Sequence, residues 1–502
     1  MRILVGFEWF VLFYFIAVNA LYALLFISAM REVHVHRASE WEETQSRLLG
    51  SAIAPRVSIL APAYNEEATV TESVRGLLTL SYPNLEVVLV NDGSRDRTLD
   101  TLKRSFSLQP IHNIFRRQIE TQPIRALYRS REFPNLVIVD KDNGGKADAL
   151  NAGLNLCSGE LVCAIDADTL IEPDALLRMV RPFLKSDDIV AGGGTIRVAN
   201  GSHVYAGRVI EARAPLHPIP GFQVIEYLRA FLFGRLGWNR RGGNLIISGA
   251  FGLFRRDAMI RVGGYLHDTV GEDMELVARL RTAGLEDGGP HKVEFVADPV
   301  AWTEVPQSWS TLGRQRDRWH RGLADVVWRY RRLFFNPRYG SLGLVVYPYF
   351  VLIELIAPVV EMAGLMLLPI GIWTGALDVQ FALLFLLVAY GLGLILTMAT
   401  LLLEEWTFHR YERPADLLLL VVWTLLEPFG YRQLTLVWRL RGLIKYLRKR
   451  SDWGVMHRRG FTSTDPDEIE TGAFYPQEPG ADALGELDHK EAHAGDRARP
   501  AV

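Results

Sequence analysis

An α/β domain built on a mainly parallel sheet, set between apolar helices at either end of the chain, is the fold this 502-residue sequence predicts. Three observations carry that expectation. The apolar residues are concentrated toward the two ends; the middle alternates short runs apolar on both faces with amphipathic stretches; and the polar residues of the middle collect where its strands end. With 55 basic against 57 acidic side chains the formal charge is −2, so the positive excess of a dedicated nucleic-acid binder is absent.

Residues 9–30 form a run of 22 without a charge and 381–403 one of 23, each long enough to cross roughly 30 Å of hydrocarbon as a helix. The first is longer than the apolar core of a signal peptide and lacks a small-residue cleavage pattern, so 1–31 is read as a retained anchor and 32–55 as a linker. Arg31, Arg37 and Arg47 follow that run and only Arg2 precedes it. The positive-inside rule then puts the N-terminus outside and the middle domain, 56–335, in the cytoplasm of a multi-pass protein of the cell (inner) membrane.

Within the middle, strands are expected over 56–62, 85–91, 136–140 and 161–166, and helices over 67–80 and 146–156. On the first helix Val70, Val74, Leu77 and Leu78 share one face. Cys157 and Cys163 are too few for a disulfide framework or a thiolate metal site and are read as buried, reduced thiols.

The membrane returns over 336–450. Residues 341–374 are apolar but contain Pro348, Pro358, Glu354 and Glu361; the two carboxylates either line a wet path or snorkel out of an interfacial helix. Another span begins at Pro414. Nine basic residues lie between Arg432 and Arg459 with Asp452 the only acid, a composition that belongs in the cytoplasm. Three spans after a cytoplasmic domain would leave it outside, so either one candidate is interfacial or re-entrant, or 434–447 returns through the membrane. Residues 451–502, rich in Asp, Glu, Pro and Gly, read as a largely disordered tail.

Five groups of residues point to chemistry. Tyr64-Asn65-Glu66 and Asn91-Asp92-Gly93-Ser94 close the first two strands, where ligands bind in such sheets; a carboxylate beside a glycine turn can accept from a base or ribose, although alone it is an ordinary turn. Asp166 and Asp168 are spaced to point the same way beyond the sheet, a geometry suited to Mg²⁺ or Mn²⁺ shared with phosphate oxygens. A glycine-rich turn leads to Lys146 at a helix start, where backbone amides and the lysine would form an anion site that is not a P-loop. Glu272 and Asp273 open a further helix; they are either ordinary macrodipole partners or, at Asp273, a general base for a sugar hydroxyl. Gln315, Arg318 and Trp319 precede the membrane, as an interfacial anchor or as an arginine for a diphosphate with an indole to stack on a sugar ring.

The order Tyr64-Asn65-Glu66, Asn91-Asp92-Gly93-Ser94, Gly145-Lys146-Ala147-Asp148, Asp166-x-Asp168, Glu272-Asp273, Gln315-x-x-Arg318-Trp319 resembles the processive membrane glycosyltransferases of family 2, the cellulose, hyaluronan and poly-N-acetylglucosamine synthases, from about 1 to 450. The resemblance implies a GT-A (nucleotide-diphospho-sugar transferase) fold and an inverting enzyme that builds a β-linked glycan from a UDP-sugar and exports it. N-acetylglucosamine is the preferred sugar and glucose the next. Tyr64, Glu66 and Asp92 would hold the uridine and Lys146 the phosphates. Asp166 and Asp168 would take donor and metal, and Asp273 would be the base. Gln315, Arg318, Trp319 and Glu272 would shape the acceptor and diphosphate end, where Gly249 would lie on an acceptor-facing loop. Gly271 replaces the usual threonine before Glu272, removing a possible hydroxyl contact. An accessory export subunit is left open. Two rivals stay in view: single transfer to a lipid acceptor, and a silent nucleotide-sugar-binding scaffold.

Overall fold

The computed structural model describes residues 2–37, 54–112, 116–166, 169–205, 207–375 and 378–449. Asp168, most of the expected linker and the expected tail lie outside them. Twelve strands occur among the described residues: β1 Val57–Ala63, β2 Leu85–Asp92, β3 Leu108–Ile111, β4 Ile124–Ser130, β5 Leu136–Lys141, β6 Leu161–Ile165, β7 Leu170–Ile171, β8 Ile189–Val198, β9 His203–Tyr205, β10 Arg208–Glu211, β11 Phe251–Arg255 and β12 Lys292–Thr303. Ten of them form one sheet in the order β3-β4-β5-β2-β1-β6-β11-β8-β12-β7. β5, β2, β1 and β6 pair in parallel, as do β8 and β12, whereas β4, β7 and β11 pair antiparallel to their neighbours. Followed across the sheet, seven strands run one way and three the other, so the mainly parallel expectation holds.

Alternation along the strands explains why they read as apolar throughout. Val57, Ile59, Val87, Leu89 and Cys163 enter the core on one face, and Leu60, Val88, Val90, Val162 and Ala164 the core on the other. The helix Lys146–Leu156 falls where expected, and 67–80 narrows to Val70–Leu78, because 65–69 is tied to the loop after β2 instead. There, Asn65 N–H donates to Ser94 Oγ (3.0 Å), Arg95 N–H to Asn65 Oδ1 (2.8 Å) and Glu66 N–H to Thr98 Oγ1 (2.9 Å). Both cysteines are free and buried, and burial pushes the Cys157 thiol up to about 11.

Strand direction sets the position of the site. β1, β2, β5 and β6 all end at one edge, and antiparallel β11 begins there, with Phe251 opposite Ile165. β12 ends at the same edge and leads into the helix Trp309–Arg329.

Among the described residues two helices are long and apolar enough to cross a membrane, Trp9–His34 and Leu342–Trp373. Pro414–Leu426 and Tyr431–Leu447 together pass the same test as a pair bent by 60°. The expected run 381–403 is helical as well, as Val379–Leu386 and Leu392–Phe408 on either side of a π-helical turn, Leu387–Gly391. A segment not foreseen from the sequence, Pro218–Leu228 followed by Arg229–Phe233, joins these helices to the sheet. Phe222 meets Trp423 edge-on, and Arg229 pairs with Glu427 at 2.7 Å. Glu404, just past the apolar run 381–403, is buried inside a helix and paired with Arg197 of β8.

Candidate active site

At the shared strand edge two lysines, five residues apart, organise two different environments. Lys141 closes β5 with no exposed surface. Its ammonium donates to Asp92 Oδ1 (2.6 Å) and to the Asp142 carbonyl (2.5 Å), and it pairs with Asp148 Oδ1 (2.5 Å). Asp92 also accepts from Gly144 N–H (3.0 Å), Gly145 N–H (2.8 Å) and Asn143 Nδ2 (3.1 Å). The anion site expected at the start of the helix Lys146–Leu156 is therefore already filled from within: the amides of Gly144 and Gly145 hold the Asp92 carboxylate. This corrects the reading of those amides as a phosphate cradle. Asp92, expected at the uridine, is buried with both oxygens engaged on the loop, while Tyr64 is exposed at the end of β1 and Glu66 accepts from Thr69 Oγ1 (2.9 Å).

Lys146 faces a cavity of about 1080 Å³. Its ammonium lies 2.6 Å from Asp166, 3.8 Å from Glu272 and 3.4 Å from the Gly249 carbonyl. Burial opposes its charge, but Asp166, Glu272 and Asp273 outweigh that and hold it above the ordinary lysine value. Burial also raises the Glu272 carboxyl, against the pull of Lys146. Asp273, at the start of the helix Glu272–Asp287, accepts from Gly249 N–H (3.0 Å) and Met274 N–H (2.8 Å).

A side chain at Gly249 would crowd this geometry, since a β-carbon there would stand 3.0 Å from the Lys146 nitrogen and 3.3 Å from Asp273 Oδ2. Gly271 has a second explanation of the same kind. A β-carbon on it would lie 3.1 Å from Gly322 Cα, and one on Gly322 would lie 3.0 Å from Gly271 Cα. Two bare backbones thus touch, and the threonine expected at 271 would force the helices Glu272–Asp287 and Trp309–Arg329 apart. That contact brings Gln315, Arg318 and Trp319 to the cavity that Asp273 lines. Arg316, between them, pairs with Glu226 (2.7 Å) and lies 4.3 Å over the Trp319 ring.

The structure therefore gathers Lys146, Asp166, Gly249, Glu272, Asp273, Gln315, Arg318 and Trp319 around one cavity, with Tyr64, Glu66 and Asp92 outside its lining. Asp168 is not among the described residues, and among those that are, no three His, Cys, Asp or Glu side chains form a metal cluster. Lys141 was missed, although a lysine ending an apolar strand was a signal: in the parallel register it stands opposite Asp92. The far end of the cavity was foreseen only in Glu354 and Glu361. It runs between the apolar helices past Tyr14, Thr397, Arg432 and Arg439. Glu354 and Glu361 line it too, Glu361 paired with Arg432 at 2.7 Å, which favours the wet path over snorkelling.

The profile described as "Glycosyl transferase family 2" matches residues 58–263, and "Glycosyl transferase family group 2" matches 161–402. A probable glycosyltransferase of Bacillus subtilis, YdaM, is 27% identical over 59% of this chain and 60% of its own length. Poly-beta-1,6-N-acetyl-D-glucosamine synthase of Staphylococcus aureus is 27% identical over 54% of this chain and 56% of its own. Matches thus cover little more than half of those relatives. A mannosyltransferase from Pyrobaculum calidifontis, solved with GDP-Man and Mn²⁺, shares the fold with a TM-score of 0.50, at 18% identity over 85% of this chain and all of its own. Together the two family 2 models span residues 58–402, so this part of the chain is a family 2 glycosyltransferase domain. Its fold is GT-A-like, and candidate membrane helices accompany it.

Proposed function

We propose that this enzyme transfers a sugar from a UDP-sugar, N-acetylglucosamine first and glucose next, onto a growing β-linked glycan with inversion, and passes the chain outward through the membrane from a cytoplasmic active site. One observation carries the reading: the cavity that holds Asp273 and Lys146 also holds Gln315, Arg318 and Trp319, and continues between the apolar helices. The acceptor hydroxyl would lie against Asp273, whose carboxylate takes the proton as the new bond forms; a hydroxyl is too weak an acid to be ionised beforehand. Arg318 and Lys146 would receive the charge that develops on the departing diphosphate, and Trp319 would stack on the acceptor ring. Tyr64 and Glu66, at the end of β1, would meet the uridine, with Asp92 bracing the loop behind it.

The site suits a hard divalent cation. Asp166 sets a carboxylate at the cavity beside Lys146, an oxygen donor of the kind Mg²⁺ and Mn²⁺ take, and such ions bind through one or two carboxylates plus substrate phosphates. Asp166 and Asp168 would hold the ion, which when bound neutralises the diphosphate.

The test is to incubate the purified full chain with Mg²⁺ or Mn²⁺ and each UDP-sugar and to size the products by mass. A polymer from UDP-N-acetylglucosamine is expected. A single-sugar glycolipid would replace this reading with transfer to a lipid acceptor, and no release of UDP from any donor would leave only a binding scaffold.

A further inference from the structure

The helix Tyr431–Leu447 has two faces with separate tasks. Its inner face lies along Trp309–Arg329, the helix that carries Gln315, Arg318 and Trp319. Gly442 lets the two backbones meet, since a β-carbon there would reach the Asp317 carbonyl oxygen at 2.4 Å. Asp317 is buried and pairs with Lys445 and, at 3.7 Å, with Arg441. The outer face exposes Leu434, Val437, Ile444 and Leu447 beside Arg441 and Arg448.

On that outer face lies a second cavity of about 450 Å³, separate from the active site. Ile444 forms part of its wall, with Met362 and Met366 from the candidate membrane span Leu342–Trp373. Arg441, Lys445 and Arg448 line it, the first two paired with Asp317. An apolar wall continuous with a membrane helix, bordered by surplus positive charge, matches an acyl chain joined to a negative headgroup.

We propose that this groove binds an anionic phospholipid of the bilayer, its phosphate at Arg441 and Arg448 and a chain against Met362, Met366 and Ile444. Because Arg441 and Lys445 also clamp Asp317, the lipid steadies the helix Trp309–Arg329 on its outer side. The binding stands on the groove alone; its effect on turnover rests on the proposed transferase reading.

The test uses the full chain in nanodiscs of phosphatidylcholine with or without phosphatidylglycerol, followed by native mass spectrometry of the released protein. One retained phosphatidylglycerol per chain is expected in preference to phosphatidylcholine. The double variant R441Q/R448Q should bind it about 30-fold more weakly, the loss two juxtamembrane arginines produce, and R441K/R448K should restore it. Equal retention of both lipids, or an unchanged R441Q/R448Q that melts like the wild type, would overturn the proposal. If the glutamine variant does not fold, the lysine variant decides: retention kept supports the site, retention lost overturns it. UDP release should be several-fold faster with phosphatidylglycerol in the wild type only. Retention without that acceleration would overturn the coupling and leave the binding site standing, and retention without UDP release from any donor would count against the transferase reading alone.

Discussion

Lys141 and Lys146 sit at either end of one short loop, yet the protein uses them in opposite ways. Lys141 is enclosed, and the carboxylates of Asp92 and Asp148 meet both its ammonium and backbone amides, Asp148 accepting from Gln122 N–H at 3.0 Å. Lys146 has about a quarter of its side chain exposed to the cavity and faces three carboxylates, of which Asp273 is also held by the Gly249 and Met274 amides. A closed charge cluster has nothing left to offer a ligand and contributes to stability; an open one keeps its imbalance for a ligand to complete. The comparison predicts that changes around Lys146 reduce activity in a folded protein, whereas changes around Lys141 unfold it.

The largest effect is expected at Asp273, on the open side. Asp273→Asn keeps the shape and removes the proposed base, so turnover should fall by about 10²–10⁴-fold, the contribution of general base catalysis. Donor binding, followed by calorimetry with UDP-sugar, should persist. Polymer made at the wild-type rate would remove Asp273 from the mechanism.

On the closed side, Lys141→Met would leave two buried carboxylates without their cation. Removing one partner of a buried pair costs about 3–5 kcal/mol, so a large drop in melting temperature is expected, with partial recovery in K141M/D148N, which removes one of the stranded charges. A variant that melts like the wild type but no longer turns over would place Lys141 with the catalytic group instead.

The same contrast explains what was legible in the sequence. The strands of the parallel half could be read because each is apolar on both faces, and the carboxylates that end them, Asp92 and Asp166, could be placed from strand direction alone. β8 was harder, because Gly192 and Gly193 interrupt its apolar pattern; their missing side chains make room for Phe183 and Phe295. Gathering Gly249, Asp273 and Arg318 around Lys146 depends on β11 running antiparallel to β6 and on two glycine backbones touching at Gly271 and Gly322, contacts between segments far apart in sequence. Lys141 escaped notice because a lysine at a strand end ordinarily reaches solvent, and only pairing with β2 shows otherwise. The polar lining between the apolar helices depends on helix packing, which no local pattern encodes.

A third closed group lies in the helix Trp309–Arg329. His320 is buried, and its Nδ1 accepts from Arg439 Nε (3.4 Å). Burial, and then the Arg439 charge, push its imidazole down to about 3 from an ordinary 6.5. Between those values the unfolded chain binds the proton and the folded one does not, so this contribution to stability is complete above pH 6.5 and is lost as the pH falls below it. From pH 7 to 5 the loss is about 2 kcal/mol. His320→Gln, which removes the titration, should therefore melt with a smaller acid shift than the wild type. An equal shift in both would show that His320 is not buried neutral.

The smallest effect sharpens the comparison most, because it touches the open group without changing any charge. Gly249→Ala would place a methyl group 3.0 Å from the Lys146 nitrogen and 3.3 Å from Asp273 Oδ2. Both contacts are with side-chain ends that can yield by a few tenths of an ångström, so the fold should survive with its melting temperature nearly unchanged. The displaced pair would lose alignment with the donor and with the acceptor hydroxyl, and about a tenfold fall in kcat is expected, worth about 1.4 kcal/mol of barrier. If the methyl group instead lowers the melting temperature and leaves kcat alone, Gly249 belongs with the closed packing around Lys141, and the division drawn between the two lysines fails at its boundary.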